Sequence, residues 1–475
     1  MTLALTASLC LSAGAGHAAT YYVSPSGADS NNGTSEATAF RTVQKGVDTA
    51  RAGDTVTVLS GTYTEPGIRQ TNNGTVSARI RFVSKERWGA KIVGTRGGYP
   101  VFSVFGDYVD VEGFDVSGTG SVRSGILLYG NHTRALYNHV HDIRSPDCDS
   151  NGGAGIGTAD YTSSNKEIIG NVVHHIGSAH LGSAPYCNKI HGIYSAVPDS
   201  KVINNITYQN ASAGIHLWHA PIDNIVSHNL SFSNRGSGII FGCGNAPNAT
   251  CDRIMVYNNI FINNNRAIVE YGRNNPTNRV FNNITYGNQD NTPVMINGTA
   301  SGNLVGVDPR LARFSPNGSS NIEDYYPATG SPAIDKASSA CAGCNINSDI
   351  LLGNRPVGSA SDIGPLETGS TPGAVPPPIA GSGGTDAGGI PANCPPVGVE
   401  AAGNPFAPTA PGGGVTAPLP TGGETVGIER PPQGGKTYYV SPSGNDSAAG
   451  TETEHFRTIA RGSQALSPGD TLLIR

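Results

Sequence analysis

The 475-residue chain is long enough for a large core and more than one domain. Gly 64 and Pro 32, beside only 14% charged residues, favour turn-rich β structure and argue against helical bundles. A formal net charge of -5 provides no basic field, so nucleic acid is not an expected partner.

Residues 1–19 read as a secretory signal. Leu3 to Ala13 is apolar, and Gly16-His17-Ala18 places small residues at a cleavage point after Ala18. Leu9 before Cys10 disfavours a lipoprotein anchor. No other apolar run approaches membrane-spanning length, so the expected location is secreted or cell-surface. Cysteines in an exported chain read as loop staples. The pairs expected are Cys148 with Cys187, Cys243 with Cys251, and Cys341 with Cys344, leaving Cys394 over. Zinc is the competing reading, but the pairs form no CxxC…CxxC set.

The mature chain opens with Tyr21-Tyr22-Val23-Ser24-Pro25-Ser26-Gly27. A short helix is predicted over Val43 to Ala50, and Gly53-Asp54-Thr55-Val56 turns into a strand that ends near Gly61-Thr62-Tyr63. Early strands follow at Arg81-Phe82-Val83, Lys91-Ile92-Val93 and Tyr108 to Phe114.

From Ser124 to Asn288 two motifs alternate. The first is a small residue, Gly, Ile: Ser124-Gly125-Ile126, Ala154-Gly155-Ile156, Ala213-Gly214-Ile215 and Ser237-Gly238-Ile239. His191-Gly192-Ile193 belongs to the same column, and Arg266-Ala267-Ile268 is a degenerate copy. The second motif is Asn followed by alternating positions, at Asn138, Asn171, Asn205, Asn229, Asn259 and Asn283. Its steps are 33, 34, 24, 30 and 24 residues. Repeats this short cannot bury an apolar face alone, so coils must stack into a solenoid. The predicted fold is all-β, a right-handed parallel β-helix with a short N-terminal capping helix.

Alternation along a strand places positions one and three after the Asn inward, for example Ile206 and Tyr208, or Leu230 and Phe232. His141 and His174 share that parity and are expected as buried, hydrogen-bonded histidines. A second Asn recurs at Asn210, Asn234, Asn264 and Asn288. It is expected at bends, with left-handed backbone and amides bonded from coil to coil. The long steps come from insertions at 144–153, 157–165, 177–190 and 243–251, which in solenoids map to loops on a binding face.

The opening stretch with "GDTVTVLSGTY" resembles the N-terminal cap and first coil of right-handed parallel β-helix proteins, notably the pectate lyase group. The stretches "GSPAIDKA" and "GNRPVGSASDIGPLE" are similar to the closing segment of many secreted β-helix proteins. The resemblance covers residues 20–368. Residues 369–435 are Pro/Gly/Ala-rich and read as a linker. Residues 436–475 repeat the opening stretch and are expected to begin a second, truncated β-helix copy.

With the Gly-Ile strands aligned on Gly and the Ile inward, one outward column holds Leu127, Gly157, Tyr194, His216, Ile240 and Val269. A second holds Tyr129, Ala159, Ala196, Trp218, Gly242 and Tyr271. Tyr194 and Trp218 are therefore candidate sugar platforms, with a loop-covered aromatic patch as the alternative. His216, His191 and His219 are candidate acid–base groups that neighbouring coils bring near one another. Asp147-Cys148-Asp149-Ser150-Asn151-Gly152 matches half of a calcium loop, so Asp147, Asp149 and Asn151 are candidate calcium ligands. A tethered turn explains that stretch equally well, and a metal at the histidine cluster is the further option, without a fixed spacing signature.

The resemblance implies β-elimination on a uronate polysaccharide, with a Lys or Arg base and the carboxylate neutralised by calcium or a basic side chain. Lys189, Lys201, Arg235 and Arg273 are the candidates, with Lys189 favoured by its place before His191. Asp142, Asp160 and Glu270 are the acids a hydrolase would use. Asp142, Asp160, Glu270 and Arg273 are also expected at the substrate groove's margin. The polygalacturonase and alginate-epimerase signatures are absent from the sequence. The expected function is that of a monomeric exported polysaccharide lyase. A non-catalytic glycan-binding or adhesion protein and a glycoside hydrolase are the alternatives.

Overall fold

The computed structural model describes residues 18–145, 148, 152–158, 161–180, 187–244, 251–319, 321–339, 347–373, 436–465 and 471–474. The chain divides into two compact units, Met1–Val399 and Glu400–Arg475.

The first unit is a right-handed parallel β-helix. Its three sheets of eleven, eight and ten strands are parallel throughout. A complete coil contributes one strand to each sheet, so residues far apart in sequence stand in register one coil apart. At the N-terminal end the helix Val43–Thr49 covers the first coil. The Thr42 side chain accepts from the Lys45 N–H, and Val43 and Val47 are buried. The cap thereby shields strand edges that stacking leaves open.

The eight-stranded sheet carries the Gly-Ile motif, from Ile68–Gln70 to Arg266–Gly272. Ile126, Ile156, Ile193, Ile215, Ile239 and Ile268 pair in one column, and none is exposed. Each such burial contributes about 1.5–3 kcal/mol. The Gly before the Ile is a close-approach residue. A Cβ at Gly125 would strike the Gly155 carbonyl and Val140, and one at Gly214 would strike Ser231 and Thr207.

The ten-stranded sheet carries the Asn motif. The Asn amides form a buried ladder: Asn171 Nδ2 donates to Asn205 Oδ1 at 2.9 Å, Asn205 to Asn229 at 3.0 Å, Asn229 to Asn259 at 2.9 Å and Asn259 to Asn283 at 2.9 Å. A second ladder joins Asn210, Asn234, Asn264 and Asn288. The coil-to-coil amide bonds expected from sequence are therefore present. The left-handed residue, however, is the one before each Asn of the second ladder: Gln209, Ser233, Asn263 and Gly287 have φ of 50–63°.

The strand parity in this sheet also corrects the sequence expectation. The middle residue of each strand faces the lumen. Val140 lies against Gly125, Val173 against Gly155, and Phe261 against Gly238. Positions one and three point outward instead. Ile206, Tyr208, Leu230, Phe232, Ile260 and Ile262 form a separate apolar cluster with Ile322, Tyr325, Ile350, Ile363 and Leu366 of the closing segment. Both faces of the sheet are buried, so hydrophobicity alone does not set the register. His141 and His174 share the parity of Tyr208 and also lie on the outer face, half-buried.

In the second unit Thr437–Val440 pairs in parallel with Thr471–Ile474. The Asp446 carboxylate accepts from the Arg457 and Thr458 N–H groups and from the Thr458 hydroxyl. In the first unit Asp29 makes the same set of bonds to Arg41 and Thr42. The repeated opening sequence thus repeats its local bonding.

The disulfides Cys148–Cys187 and Cys243–Cys251 are present, with Cα atoms 5.6 and 5.3 Å apart. The Cys341–Cys344 pair lies outside the described residues, as do most of the signal and linker segments.

Candidate active site

The Gly-Ile sheet positions the site. Ile193 pairs with Ile215 and Tyr194 with His216, so a lumen column of Ile sets an outward column beside it. Leu127, Gly157, Tyr194, His216, Ile240 and Val269 are consecutive partners in that column.

His216 and His191 meet across two coils. Nδ1 of His216 lies 2.8 Å from Nε2 of His191. His191 is buried at 3% exposure, and its Nδ1 has no hydrogen-bond partner among the described residues. Burial pushes the His191 imidazole down to about 3. Burial, then the neighbouring His191 and His219 rings, carries the half-buried His216 well below the usual imidazole range. Both rings are therefore neutral at pH 7, with a lone pair available, and the same burial makes each a weaker base than a free imidazole.

Aromatic rings surround the pair. Tyr194 lies 5.7 Å from His191 and 5.5 Å from His216, centroid to centroid. Burial, with Tyr161 adding to it, pushes the Tyr194 phenol up, so it stays protonated. His219 packs at 4.3 Å from Tyr161 and 6.4 Å from Tyr194. Trp218 stacks on Tyr271 at 5.8 Å, and its indole lies over Gly242, Gly244 and Gly272. Those glycines are a flat floor, since a Cβ at Gly244 would collide with the indole.

The second outward column continues upstream beyond the sequence expectation. Tyr129 stacks on Phe105 at 4.1 Å, and the Arg69 guanidinium sits 4.1 Å above the Phe105 ring. Phe105, Asp107, Tyr129, Asn131, Tyr161 and Ser163 line a cavity of about 480 Å³. Extending the Tyr129 column one coil back would have found Phe105. Nothing in the repeat pattern marks Tyr161, which the 157–165 insertion carries.

The charged candidates are scattered. Lys189 sits just before the strand Ile190–Ser195, and its carbonyl accepts from the Gly153 N–H at 3.0 Å. Arg273 is exposed beside the Cys243–Cys251 staple, and its N–H donates to the Cys243 carbonyl. Lys201 pairs with Glu167 at 3.2 Å in the eleven-stranded sheet, away from this face. Arg235 donates to the His180 carbonyl.

Glu270 is corrected from its expected place at the groove margin. It is 1% exposed, and its carboxylate accepts from the N–H groups of Ile296, Asn297 and Gly298. It shares the lumen parity of Ile268 and holds the turn at 296–298 in the following coil. Asp142 is likewise corrected from the groove margin: it follows the strand His139–His141 of the Asn sheet and binds Nδ1 of His141 at 2.7 Å. Asp147, Asp149, Asn151 and Asp160 lie outside the described residues.

No family model matches the chain, and no curated protein matches it. Solved structures do. A pectate lyase, Pel9A, superposes with a TM-score of 0.50 at 16% identity, covering 74% of this chain and 97% of its own. A rhamnogalacturonan lyase superposes with a TM-score of 0.50 at 14% identity, covering 68% of this chain and 97% of its own. At these identities the likeness shows the shared fold alone, a parallel β-helix. No helix among the described residues is long and apolar enough to cross a membrane.

Proposed function

We propose that the chain is an exported enzyme that cleaves an extracellular uronate polysaccharide by β-elimination. The observation that carries this reading is the neutral His191–His216 pair set among Tyr194 and Trp218 on the outward Gly-Ile face. The two fold neighbours are lyases by name, and two disulfides suit an oxidising compartment.

In the tautomer where His216 Nδ1–H donates to His191, Nε2 of His216 keeps its lone pair for the groove. That nitrogen takes the proton from the carbon beside the uronate carboxylate. The freed electron pair forms the carbon–carbon double bond and expels the glycosidic oxygen, which takes up a proton. Lys189 is the proposed proton donor to that oxygen, and Arg273 the proposed counter-charge for the carboxylate. Trp218 and Tyr194 hold sugar faces. Calcium at Asp147, Asp149 and Asn151 is the alternative neutralising group.

The hydrolase reading is weaker, because Glu270 and Asp142 do not face this groove. Non-catalytic glycan binding is the second reading. It is favoured by the aromatic run Phe105, Tyr129, Trp218 and Tyr271, and a second copy begun at residue 436 would add avidity. A monomer suffices for either.

The test is to incubate the full chain with pectate, rhamnogalacturonan and alginate, with and without calcium. Ultraviolet absorbance of an unsaturated sugar, lost in His216→Ala, supports the lyase. New reducing ends without that absorbance would indicate a hydrolase. Retention on immobilised polymer without product would indicate a binding protein.

A further inference from the structure

The outer face of the Asn sheet is apolar along most of its length but changes character at its N-terminal end. In one column Val172, Ile206, Leu230 and Ile260 give way to His139 and Asp115. In the other, Phe232 and Tyr208 give way to His174 and His141. The closing segment packs on the apolar part. The polar part is half-buried, between Trp88 at 4.8 Å from His139 and Tyr208 at 4.5 Å from His174.

We propose that Asp115, His139 and His141 form a binding site for a zinc-class transition-metal ion, supported from behind by His174 and Asp142. The donor atoms converge. Nδ1 of His139 lies 2.9 Å from one Asp115 oxygen, and Nε2 of His141 lies 3.1 Å from the other. All three ligand atoms fall within 4.8 Å of one another. Donors on one tetrahedral zinc sit roughly 3.3 Å apart, given bonds of about 2.0–2.1 Å. The set is therefore near the spacing an ion requires.

The outer nitrogens complete the case. A metal-bound imidazole donates its other N–H to a fixed partner. Nδ1 of His141 has the Asp142 carboxylate at 2.7 Å, and Nε2 of His139 has Nε2 of His174 at 2.8 Å. Nδ1 of His174 is in turn 2.6 Å from Nδ1 of His175. With an ion between the inner atoms, Nδ1 of His141 and Nε2 of His139 each keep a hydrogen-bond partner on the side away from it. Two imidazoles and one carboxylate suit zinc and its neighbours over calcium or magnesium, which take oxygen ligands. Among the described residues three protein donors converge, the number that a zinc site with one further ligand uses.

The site lies on a different sheet from His191 and His216, and it does not depend on the lyase reading. The test uses the full chain stripped with chelator and titrated with zinc sulfate by calorimetry, with metal content measured after gel filtration. One equivalent is expected. It should be lost at least 100-fold in affinity in Asp115→Asn and His141→Gln, and retained in a His191→Gln/His216→Gln double variant. Asp142→Asn, at a side chain 63% exposed, tests the idea without threatening the fold and should weaken binding 10–100-fold. Cobalt should bind the same site with the visible absorption of a tetrahedral centre. Failure of the wild type to bind, or binding unchanged in His141→Gln and Asp142→Asn, would overturn the proposal.

Discussion

Nε2 of His191 and Nδ1 of His216 lie 2.8 Å apart although 25 residues separate them in sequence. The contact exists because the two residues occupy adjacent coils of one parallel sheet. If this pair moves the proton, His216→Ala lowers kcat at least 100-fold while the melting temperature hardly changes. Trp218→Ala instead raises KM about 3- to 10-fold, the value of one stacked ring, with a smaller effect on kcat. Steady-state kinetics beside thermal unfolding separates the two. An inactive His216→Ala that also melts many degrees lower would assign the histidine to structure.

Glu270 should behave as a structural group. Glu270→Ala leaves the N–H groups of Ile296, Asn297 and Gly298 without their acceptor. The expected cost is about 2–4 kcal/mol, from orphan donors at about 1–3 kcal/mol each with partial access to water. Denaturant unfolding reads the loss. Turnover per folded molecule stays at the wild-type value, which a catalytic acid would not permit.

The Asn ladder should weaken in proportion to burial. Asn229 is fully buried, accepts from both the backbone and side-chain N–H of Asn205, and donates to Asn259 Oδ1. Asn303 ends the ladder half-buried. Asn229→Ala is expected to cost about 3 kcal/mol or more, and Asn303→Ala about 1 kcal/mol. Equal losses on chemical denaturation would contradict this.

Acid should destabilise the fold through its neutral histidines. His191 and His228 are both buried, and burial lowers both. Above pH 6.5 neither state binds the proton, and stability is unaffected. Below 6.5 the unfolded chain takes up protons that the fold excludes. Stability therefore falls as pH drops, down to about 3 for His191. Each such histidine contributes about 1.4 kcal/mol per pH unit. His228→Gln should flatten the slope between pH 6 and pH 4, measured by urea midpoints, by roughly that amount.

The staples should differ in worth. The Cys148–Cys187 bridge spans 39 residues and the Cys243–Cys251 bridge spans 8. Loop-closure entropy gives about 4 kcal/mol for the first and about 2.5 kcal/mol for the second. Paired Cys→Ser variants, compared by thermal unfolding under oxidising conditions, should rank in that order.

Much of this architecture was legible in the sequence because glycine does what no other residue can. At the Gly-Ile strands the backbone of the next coil and the side chains across the lumen exclude a Cβ, so each Gly fixes strand parity. The outward column of Tyr194 and His216 followed from it. The Asn strands have no such marker. Ile206 and Tyr208 alternate with Thr207 as if the apolar side were the core, yet it is Thr207 that faces the lumen. The apolar side is covered by residues more than a hundred positions later, which a local pattern cannot reveal. His141 and His174 were misplaced by the same parity error. Glu270 was legible, since it stands two positions after the inward Ile268, but its charge suggested a surface place. Tyr161 belongs to an insertion, where no periodicity applies.

The closing segment also changes how the molecule should come apart. A solenoid whose coils touch only their neighbours can fray from either end. Here Arg87 donates to the Ile350 carbonyl, Asn204 to Ser348, Asn258 to Ser338 and Asn282 to Lys336. One stretch after the last coils is thereby tied to coils from the beginning of the solenoid to its last turns. Peeling away any coil along that side also uncovers the greasy flank that the strap protects. The array is bound like a book along its spine, and its pages should open together or not at all.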